Sequence, residues 1–345
     1  MIRFDSDYTE GCHPKVLAAL TATNLEQPTG YGEDAHCAGA RALILDACGL
    51  SGTEADVHFL VGGTQVNAAV IAAALRPWEG VLSAESGHIA CHETGAVEAT
   101  GHKVLVLPQE NGKLRASDVR AAIETARGDP NAEHIVQPGL VYLSQPTEFG
   151  TLYTRAELEA IAAVCRTAAL PLYLDGARLG CALAADEDLT LRDYAALCDA
   201  FTIGGTKMGL LFGEAAVLRA PALRAGFRNL MKQRGAMLAK GRLLGVQYEA
   251  MFTDGLYLAC GRNAVGAARR IKGALLEHGV PLAFDSPTNQ IFVTLTRAQA
   301  AALEKDFALG HWDAGSGETQ TLRICTSWAT TPEQTDALIE AIKTL

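Results

Sequence analysis

Residues 170–178 read LPLYLDGAR, an apolar run that ends in an acidic residue, a glycine and an arginine. A second run, AFTIGGTK at residues 200–207, is also apolar and ends in two glycines, a threonine and a lysine. Short apolar runs bounded by glycine and polar residues are typical of strands that are buried on both faces of a sheet. We therefore expect Asp175 and Lys207 to follow directly after two buried strands.

Apolar runs and helical patterns alternate between residues 57 and 218. Strands are predicted at residues 57–61, 80–83, 104–107, 140–143, 170–174, 200–203 and 215–218. Helical patterns lie between most of them, for example at residues 64–75, 117–126 and 155–168. This alternation predicts an α/β fold with a mostly parallel sheet that helices cover on both faces. Because ligands of such sheets bind outside the carboxyl ends of the strands, the residues after these runs are the candidate site.

The length of 345 residues predicts two domains, since it exceeds one ordinary core. We expect residues 1–250 to form an N-terminal segment plus a large domain, and residues 251–345 to form a small α+β domain. A basic helical connection is predicted at residues 221–251. The small domain is predicted to contain a helix at 262–278, a strand at 290–296, a helix at 297–308, a strand at 321–326 and a last helix after the N-cap Thr331.

Composition and charge narrow the possible partners. The net charge of −10 argues against nucleic acid, whose phosphates require a basic surface. The longest apolar run, residues 68–75, is far below the ~18 residues that span a bilayer, so no membrane partner is expected. The nine cysteines are scattered without a C-x-x-C pair, and the first residues do not resemble a signal peptide. These features favour the reducing cytoplasm.

Three motifs at predicted strand ends suggest one ligand. Gly63, Thr64 and Gln65 open a helix, whose free N–H groups favour an anion such as phosphate, although an ordinary threonine-capped turn is also compatible. Asp175 could hold a protonated ring nitrogen or cap a turn. Lys207 lies in an otherwise apolar segment, where desolvation makes an amine nucleophilic. A phosphate turn, an aspartate and a lysine together predict a site for pyridoxal 5'-phosphate.

Two further positions carry alternatives. His88 follows a predicted strand and could stack on a flat heteroaromatic ring. Four residues later comes His92, a spacing that raises the possibility of zinc. The order H-x-x-x-H-E is not the H-E-x-x-H of zinc proteases, and no third ligand stands out, so no metal is predicted. Arg178 could be a surface charge or, beside Asp175, a partner of the cofactor or of a substrate carboxylate.

With these motifs the chain resembles the threonine aldolases, which are similar to β-eliminating lyases and adopt fold type I of the pyridoxal-phosphate enzymes, as aspartate aminotransferase does. The resemblance covers nearly the full length. It rests on FDSD at 4–7, GYGED at 30–34, GTQ at 63–65, His88 with Glu93, DGAR at 175–178, Lys207, and LRI at 322–324. DGAR combined with the lysine is specific, and the other motifs support it. The resemblance implies a large, mostly parallel seven-stranded sheet domain and a small C-terminal α+β domain.

The resemblance also implies roles. Lys207 would carry the Schiff base and would be catalytic together with His88. The cofactor-binding residues would be Gly63, Thr64, Gln65, His88, Asp175, Arg178, Lys207 and Lys240. The substrate-binding residues would be Ser6, Tyr31, Arg178 and Arg323. Tyr31 and Lys240 would reach a neighbouring subunit, which implies a homo-oligomer, a dimer or a tetramer, with shared active sites.

The implied reaction is that of a carbon–carbon aldehyde-lyase, which cleaves L-threonine, L-allo-threonine or a related β-hydroxy-α-amino acid to glycine and an aldehyde. One departure is Glu148, which stands where the family usually has a histidine linked to the β-hydroxyl. The base is therefore open among His88, Glu148 and an ordered water, with His88 preferred. A β-eliminating lyase or an aminotransferase is the alternative, and a relative that binds without catalysis is a third reading.

Overall fold

The computed structural model describes residues 1–313 and 317–345. Within them the strands are β1 (Ile2–Phe4), β2 (Asp56–Leu60), β3 (Glu79–Ala84), β4 (Lys103–Leu107), β5 (Gln137–Ser144), β6 (Leu172–Asp175), β7 (Ala200–Gly204), β8 (Glu214–Leu218), β9 (Leu282–Phe284), β10 (Gln290–Thr296), β11 (Phe307–His311) and β12 (Thr319–Cys325).

The α-helices are α1 (Pro14–Ala22), α2 (Ala35–Cys48), α3 (Gly63–Ala74), α4 (His88–Cys91), α5 (Ala116–Gly128), α6 (Arg155–Ala168), α7 (Leu179–Ala185), α8 (Leu191–Leu197), α9 (Pro221–Arg224), α10 (Phe227–Gln233), α11 (Arg242–Phe252), α12 (Leu256–Glu277), α13 (Arg297–Leu303) and α14 (Pro332–Ile342). Short 3₁₀ helices lie at Glu98–Thr100, Ala132–His134 and Thr206–Met208. In the part of the chain described here, no helix is both long and apolar enough to cross a membrane.

The larger sheet has seven strands in the order β2-β8-β7-β6-β5-β3-β4. Strand β8 runs antiparallel to both of its neighbours, and the other neighbouring pairs are parallel. Alternate residues of one strand enter different cores: Leu172 and Leu174 of β6 pack into one, whereas Tyr173 packs into the other. This burial on both faces explains why the strands are continuous apolar runs. All seven predicted strands are confirmed.

The second sheet has five strands in the order β1-β11-β12-β10-β9. The predictions for β10, β12 and α14 agree with the structure to within two residues. The helix predicted at 297–308 is too long, because it ends at Leu303 and strand β11 follows. In that strand Phe307 and Leu309 are buried and Ala308 and Gly310 less so, a period of two that a helix cannot satisfy. Helix α12 also begins earlier than predicted, at Leu256.

The division into residues 1–250, an N-terminal segment plus a large domain, and 251–345, a small domain, remains a prediction. Within the N-terminal segment, β1 pairs in parallel with β11 of the five-stranded sheet. The reason is apolar packing, since Phe4 is buried with its ring centre 6.2 Å from that of Phe307. The chain therefore begins in the second sheet and enters the first one later. The predicted basic connection is three helices, α9 to α11, with a break after Gln233.

Candidate active site

A pocket of about 670 Å³ lies beside the carboxyl ends of the parallel strands of the larger sheet. Seven of the residues that the resemblance assigns to the cofactor or the substrate line it: Gly63, Thr64, His88, Asp175, Arg178, Lys207 and Arg323. The first six come from the large sheet and its connections, and Arg323 comes from β12 of the second sheet. Residues from both sheets therefore line the pocket.

The anion turn is open. Helix α3 begins at Gly63, and no side chain caps its first N–H groups. A Cβ atom added to Gly62 or Gly63 would have no other atom within 4 Å, so the space before the helix is clear. The Oε1 atom of Gln65 accepts a hydrogen bond from the N–H of Val61 at 3.2 Å. Gln65 therefore holds the turn with its side chain and does not line this pocket.

Asp175 is the last residue of β6 and is only 7% exposed. Its Oδ2 atom accepts hydrogen bonds from Nδ2 of Asn67 at 2.9 Å and from the hydroxyl of Tyr142 at 2.8 Å. Its Oδ1 atom accepts from the N–H of Ala177 at 3.0 Å. These three bonds fix the carboxylate in a water-poor setting, where a charge-assisted hydrogen bond to a ligand is strong.

His88 is linked to Asp175 through a buried network. Its Nδ1 atom lies 2.7 Å from Oε1 of Glu93, and the same oxygen accepts from Nδ2 of Asn67 at 2.7 Å. Burial would lower the pKa of His88, but the hydrogen bond to Glu93 and the charges of Glu148 and Asp175 outweigh it, so the pKa is raised. With Nδ1 bound to Glu93, Nε2 is the nitrogen left for a ligand.

Lys207 lies in the 3₁₀ helix that follows β7, and its Nζ atom is 6.0 Å from the centre of the Tyr8 ring. Glu214 lines the same pocket, although nothing in the sequence singled it out. Only the antiparallel pairing of β8 brings it there, opposite Gly204 of β7 and Leu60 of β2. The only signal for Glu214 in the sequence is that an acidic residue directly precedes the apolar run 215–218.

Arg178 forms a buried ion pair that the sequence did not indicate. Its Nε and Nη2 atoms donate to the two carboxylate oxygens of Asp7 at 2.5 and 3.1 Å. Nδ2 of Asn289 donates to the same carboxylate at 2.9 Å. Burial would raise the pKa of Asp7, but the charges of Arg178 and Lys207 and these hydrogen bonds lower it to about 2. Two donors of Arg178 are therefore engaged within the protein.

Arg323 has a buried hydrogen-bond donor that remains unpaired within the described part of the chain. Its Nη1 donates to Oε1 of Gln290 at 3.3 Å, and its Nη2 donates to the carbonyl oxygen of Asp5 at 3.1 Å. Its guanidinium carbon is 5.9 Å from the centre of the Trp312 ring. The Nε atom is buried and has no hydrogen-bond partner among the described residues. A buried unpaired donor beside a pocket is suited to an anionic ligand group.

The remaining predicted residues do not line the pocket. The hydroxyl of Ser6 is buried, without a hydrogen-bond partner in the part of the chain that the structure describes. Tyr31 and Lys240 lie in two segments that pack on each other, since the N–H of Tyr31 donates to the carbonyl of Ala239 at 3.1 Å. Nζ of Lys232 lies 4.6 Å from the centre of the Tyr31 ring. The expectation that Tyr31 and Lys240 serve a neighbouring subunit therefore stays a prediction.

The architecture is that of fold type I of the pyridoxal-phosphate enzymes. Aspartate aminotransferase from Thermus thermophilus superposes on the chain with a TM-score of 0.70 at 16% sequence identity, which covers 100% of this chain and 91% of that one. At that identity the match shows the fold alone. The fold class predicted from the sequence is confirmed.

The chain belongs to the beta-eliminating lyase family, whose family model matches residues 4–326. It is 31% identical to the low specificity L-threonine aldolase of Pseudomonas aeruginosa, across 99% of this chain and 97% of that protein. A solved structure of Leishmania major threonine aldolase superposes with a TM-score of 0.96 at 44% identity, and covers 100% of this chain and 99% of that one. The resemblance inferred from the motifs is confirmed.

Proposed function

We propose that this chain is a pyridoxal-phosphate-dependent aldolase that cleaves L-threonine, L-allo-threonine or a related β-hydroxy-α-amino acid to glycine and an aldehyde. One observation carries this: an uncapped helix start at Gly63, the fixed carboxylate of Asp175 and the amine of Lys207 line a single pocket with Arg323. The similarity to two threonine aldolases over nearly the full chain supports the same reaction.

The residues of the pocket fit the cofactor. The open N–H groups at the start of α3 suit its phosphate, and Asp175 suits a protonated ring nitrogen. The amine of Lys207 would hold the cofactor covalently, and the ring of His88 would lie against its face. When bound, the cofactor supplies the electron sink for the carbanion that remains at Cα after the Cα–Cβ bond breaks.

Arg323 is the proposed anchor for the substrate carboxylate. Its Nε donor is free and buried, whereas Nε and Nη2 of Arg178 are already bound to Asp7. A guanidinium fixes the orientation of a carboxylate as well as its affinity. Arg178 then contributes charge to the pocket through the donors that Asp7 leaves free. A contribution from Ser6 stays a prediction.

His88 is the proposed base for the β-hydroxyl proton. Glu93 fixes its ring and leaves Nε2 to take the proton as the aldehyde departs. The raised pKa makes the imidazole a stronger proton acceptor for this step. Glu148 lines the same pocket and is the second candidate. It is the residue that would explain a different preference for the β-substituent.

The Lys207→Ala variant tests this function. We expect loss of the visible absorbance band of the amine-bound cofactor, together with loss of acetaldehyde formation from L-threonine in a coupled dehydrogenase assay. The exposed Lys305 gives the matched control, since Lys305→Ala should keep both. Full turnover by Lys207→Ala would contradict the proposal. Ammonia with a keto acid as products would identify a β-eliminating lyase, and a requirement for a keto-acid partner would identify an aminotransferase.

The proposed enzyme is a cytoplasmic homo-oligomer. All nine cysteines are free thiols, as a reducing compartment favours. Tyr31 and Lys240 do not line the pocket of their own chain, and in the proposed dimer or tetramer they complete a neighbour's site. Light scattering of the purified protein would measure the subunit number, and a monomer with full activity would contradict shared sites.

A further inference from the structure

Glu214 is a buried carboxyl group in the pocket that the proposed reaction does not use. It is 5% exposed, and its Oε2 atom is buried without a hydrogen-bond partner in residues 1–313 and 317–345. As the first residue of β8 it pairs with Leu60 of β2 and Gly204 of β7. Leu60 comes shortly before the anion turn at Gly63, and Gly204 comes shortly before Lys207. Glu214 therefore lies between the proposed phosphate end of the pocket and the reactive amine.

Among the described residues, one cation favours a negative charge on Glu214, and one anion together with burial disfavours it. The cation is Lys207, and the nearby anion is Asp175. The buried phenols of Tyr173, Tyr248 and Tyr257 also lie close enough to interact with the Glu214 charge. Burial raises the pKa of Glu214 to about 8, against the opposing effects of Lys207, Thr206 and the amide of Gly205.

A phosphate at the start of α3 would further disfavour the charged form of Glu214. It would bring about two negative charges into the same pocket, where a neighbouring carboxylate is disfavoured by repulsion. A neutral carboxyl group removes the repulsion and provides an O–H donor, which a carboxylate lacks. The unpartnered Oε2 atom is the atom that can carry this proton without breaking an existing hydrogen bond.

We propose that Glu214, where it is ionised in the free protein, takes up a proton from solvent when a phosphorylated ligand binds at the start of α3, and that it is neutral in the loaded pocket. Glu214 is then a binding residue that presents an uncharged donor to the anion end of the pocket. This proposal rests on the proposed function, because that function requires a phosphorylated cofactor.

Calorimetry on the cofactor-free protein tests the proposal. The probe is pyridoxine 5'-phosphate, which lacks the aldehyde and so cannot react with the amine of Lys207. Binding heats measured in buffers of different ionisation enthalpy give the number of protons taken up per site. With a free pKa of about 8, a larger fraction of the Glu214 groups is ionised at pH 8.5 than at pH 7.5. We therefore expect more protons to be taken up per site at pH 8.5 than at pH 7.5.

The Glu214→Gln variant isolates this residue, because glutamine keeps the shape and a neutral donor but cannot titrate. It should bind the probe and lose the proton uptake that grows with pH. The Glu159→Gln variant removes an exposed carboxyl on α6, which does not line the pocket, and should keep that uptake. Infrared difference spectra supply a second measurement on the unmodified chain, since binding should produce a carboxylic-acid carbonyl band.

Two results would overturn the proposal. Equal uptake in the unmodified chain and in Glu214→Gln would assign the proton to another group. At pH 8.5, where more of the free Glu214 is ionised, binding without a new carboxylic-acid band in the unmodified chain would show that Glu214 stays ionised. In both cases the probe binds, so the proposed function survives. If neither pyridoxine 5'-phosphate nor pyridoxal 5'-phosphate binds, both the proposed function and this inference fail.

Discussion

Replacement of Asp7 by asparagine removes the counter-charge of a buried arginine at the edge of the pocket. Asp7 receives two hydrogen bonds from Arg178 and one from Asn289, and its side chain is almost fully buried. Asparagine keeps the size of the side chain but leaves the guanidinium without a negative partner. The variant should therefore be less stable, because a buried unpaired charge is costly.

The size of the effect follows from two considerations. Breaking one side of a buried ion pair costs about 3–5 kcal/mol of unfolding free energy. The pKa of Asp7 is lowered from 3.8 to about 2, and this difference corresponds to about 2.5 kcal/mol at neutral pH. Because the pKa of Asp7 is lower in the folded than in the unfolded chain, this contribution to the unfolding free energy is present above about pH 4. It is lost as the pH falls from about 4 to about 2. The rest of the lost unfolding free energy comes from Arg178, whose buried charge no longer has a negative partner.

Urea unfolding followed by circular dichroism measures the difference at pH 7. Asp5→Asn is the matched control, two positions away in the same segment. Asp5 also pairs with an arginine, Arg3, but the Arg3 side chain is 59% exposed and water screens the pair. Asp7→Asn should lower the unfolding midpoint far more than Asp5→Asn. Equal midpoints, or a gap that stays constant as the pH is lowered from 4 towards 2, would refute the reasoning.

Glu93→Gln should lower the pKa of His88, because it removes the hydrogen-bonded carboxylate that holds this pKa up against burial. The acidic limb of the profile of kcat/KM against pH should then move to lower pH, and an unmoved limb would argue against His88 as the base. In helix α12, Gly261→Ala should destabilise the chain by about 1–3 kcal/mol, since its new Cβ would lie 2.2 Å from the carbonyl oxygen of Gly180. Gly266→Ala in the same helix has open space and should stabilise it by about 0.5–1 kcal/mol, so urea midpoints that shift in the same direction would contradict this packing.

The predictions that succeeded depend on local patterns. The strands of the large sheet are apolar runs bounded by glycine and polar residues, and Asp175 and Lys207 are found at their ends. The start of helix α14 after Thr331 was predictable, because a threonine cap followed by proline is a signal contained within one turn. The side chain of Gln334 completes the capping box. The three short strands β1, β9 and β11 were missed. Two of them have only three residues, too few for an alternating pattern to be recognised.

The partners of the predicted residues depend on contacts between distant parts of the chain. Asp7 and Arg178 are separated by 171 positions, and Asn67 and Asp175 by 108. Each of these side chains has a common local explanation, such as a turn or a helix surface. Their pairing becomes visible only when the strands are placed beside one another.

The sequence by itself determined the α/β alternation, the strands of the large sheet and the identity of the residues at their ends, because these features arise from the period and the boundaries of apolar runs. The tertiary structure alone decided which donors are free. It bound Arg178 to Asp7, left Nε of Arg323 unpaired, and brought Glu214 to the pocket through an antiparallel strand. Hydrogen bonding, burial and charge at a site depend on atoms that lie close in space, and the order of residues along a chain does not fix those distances.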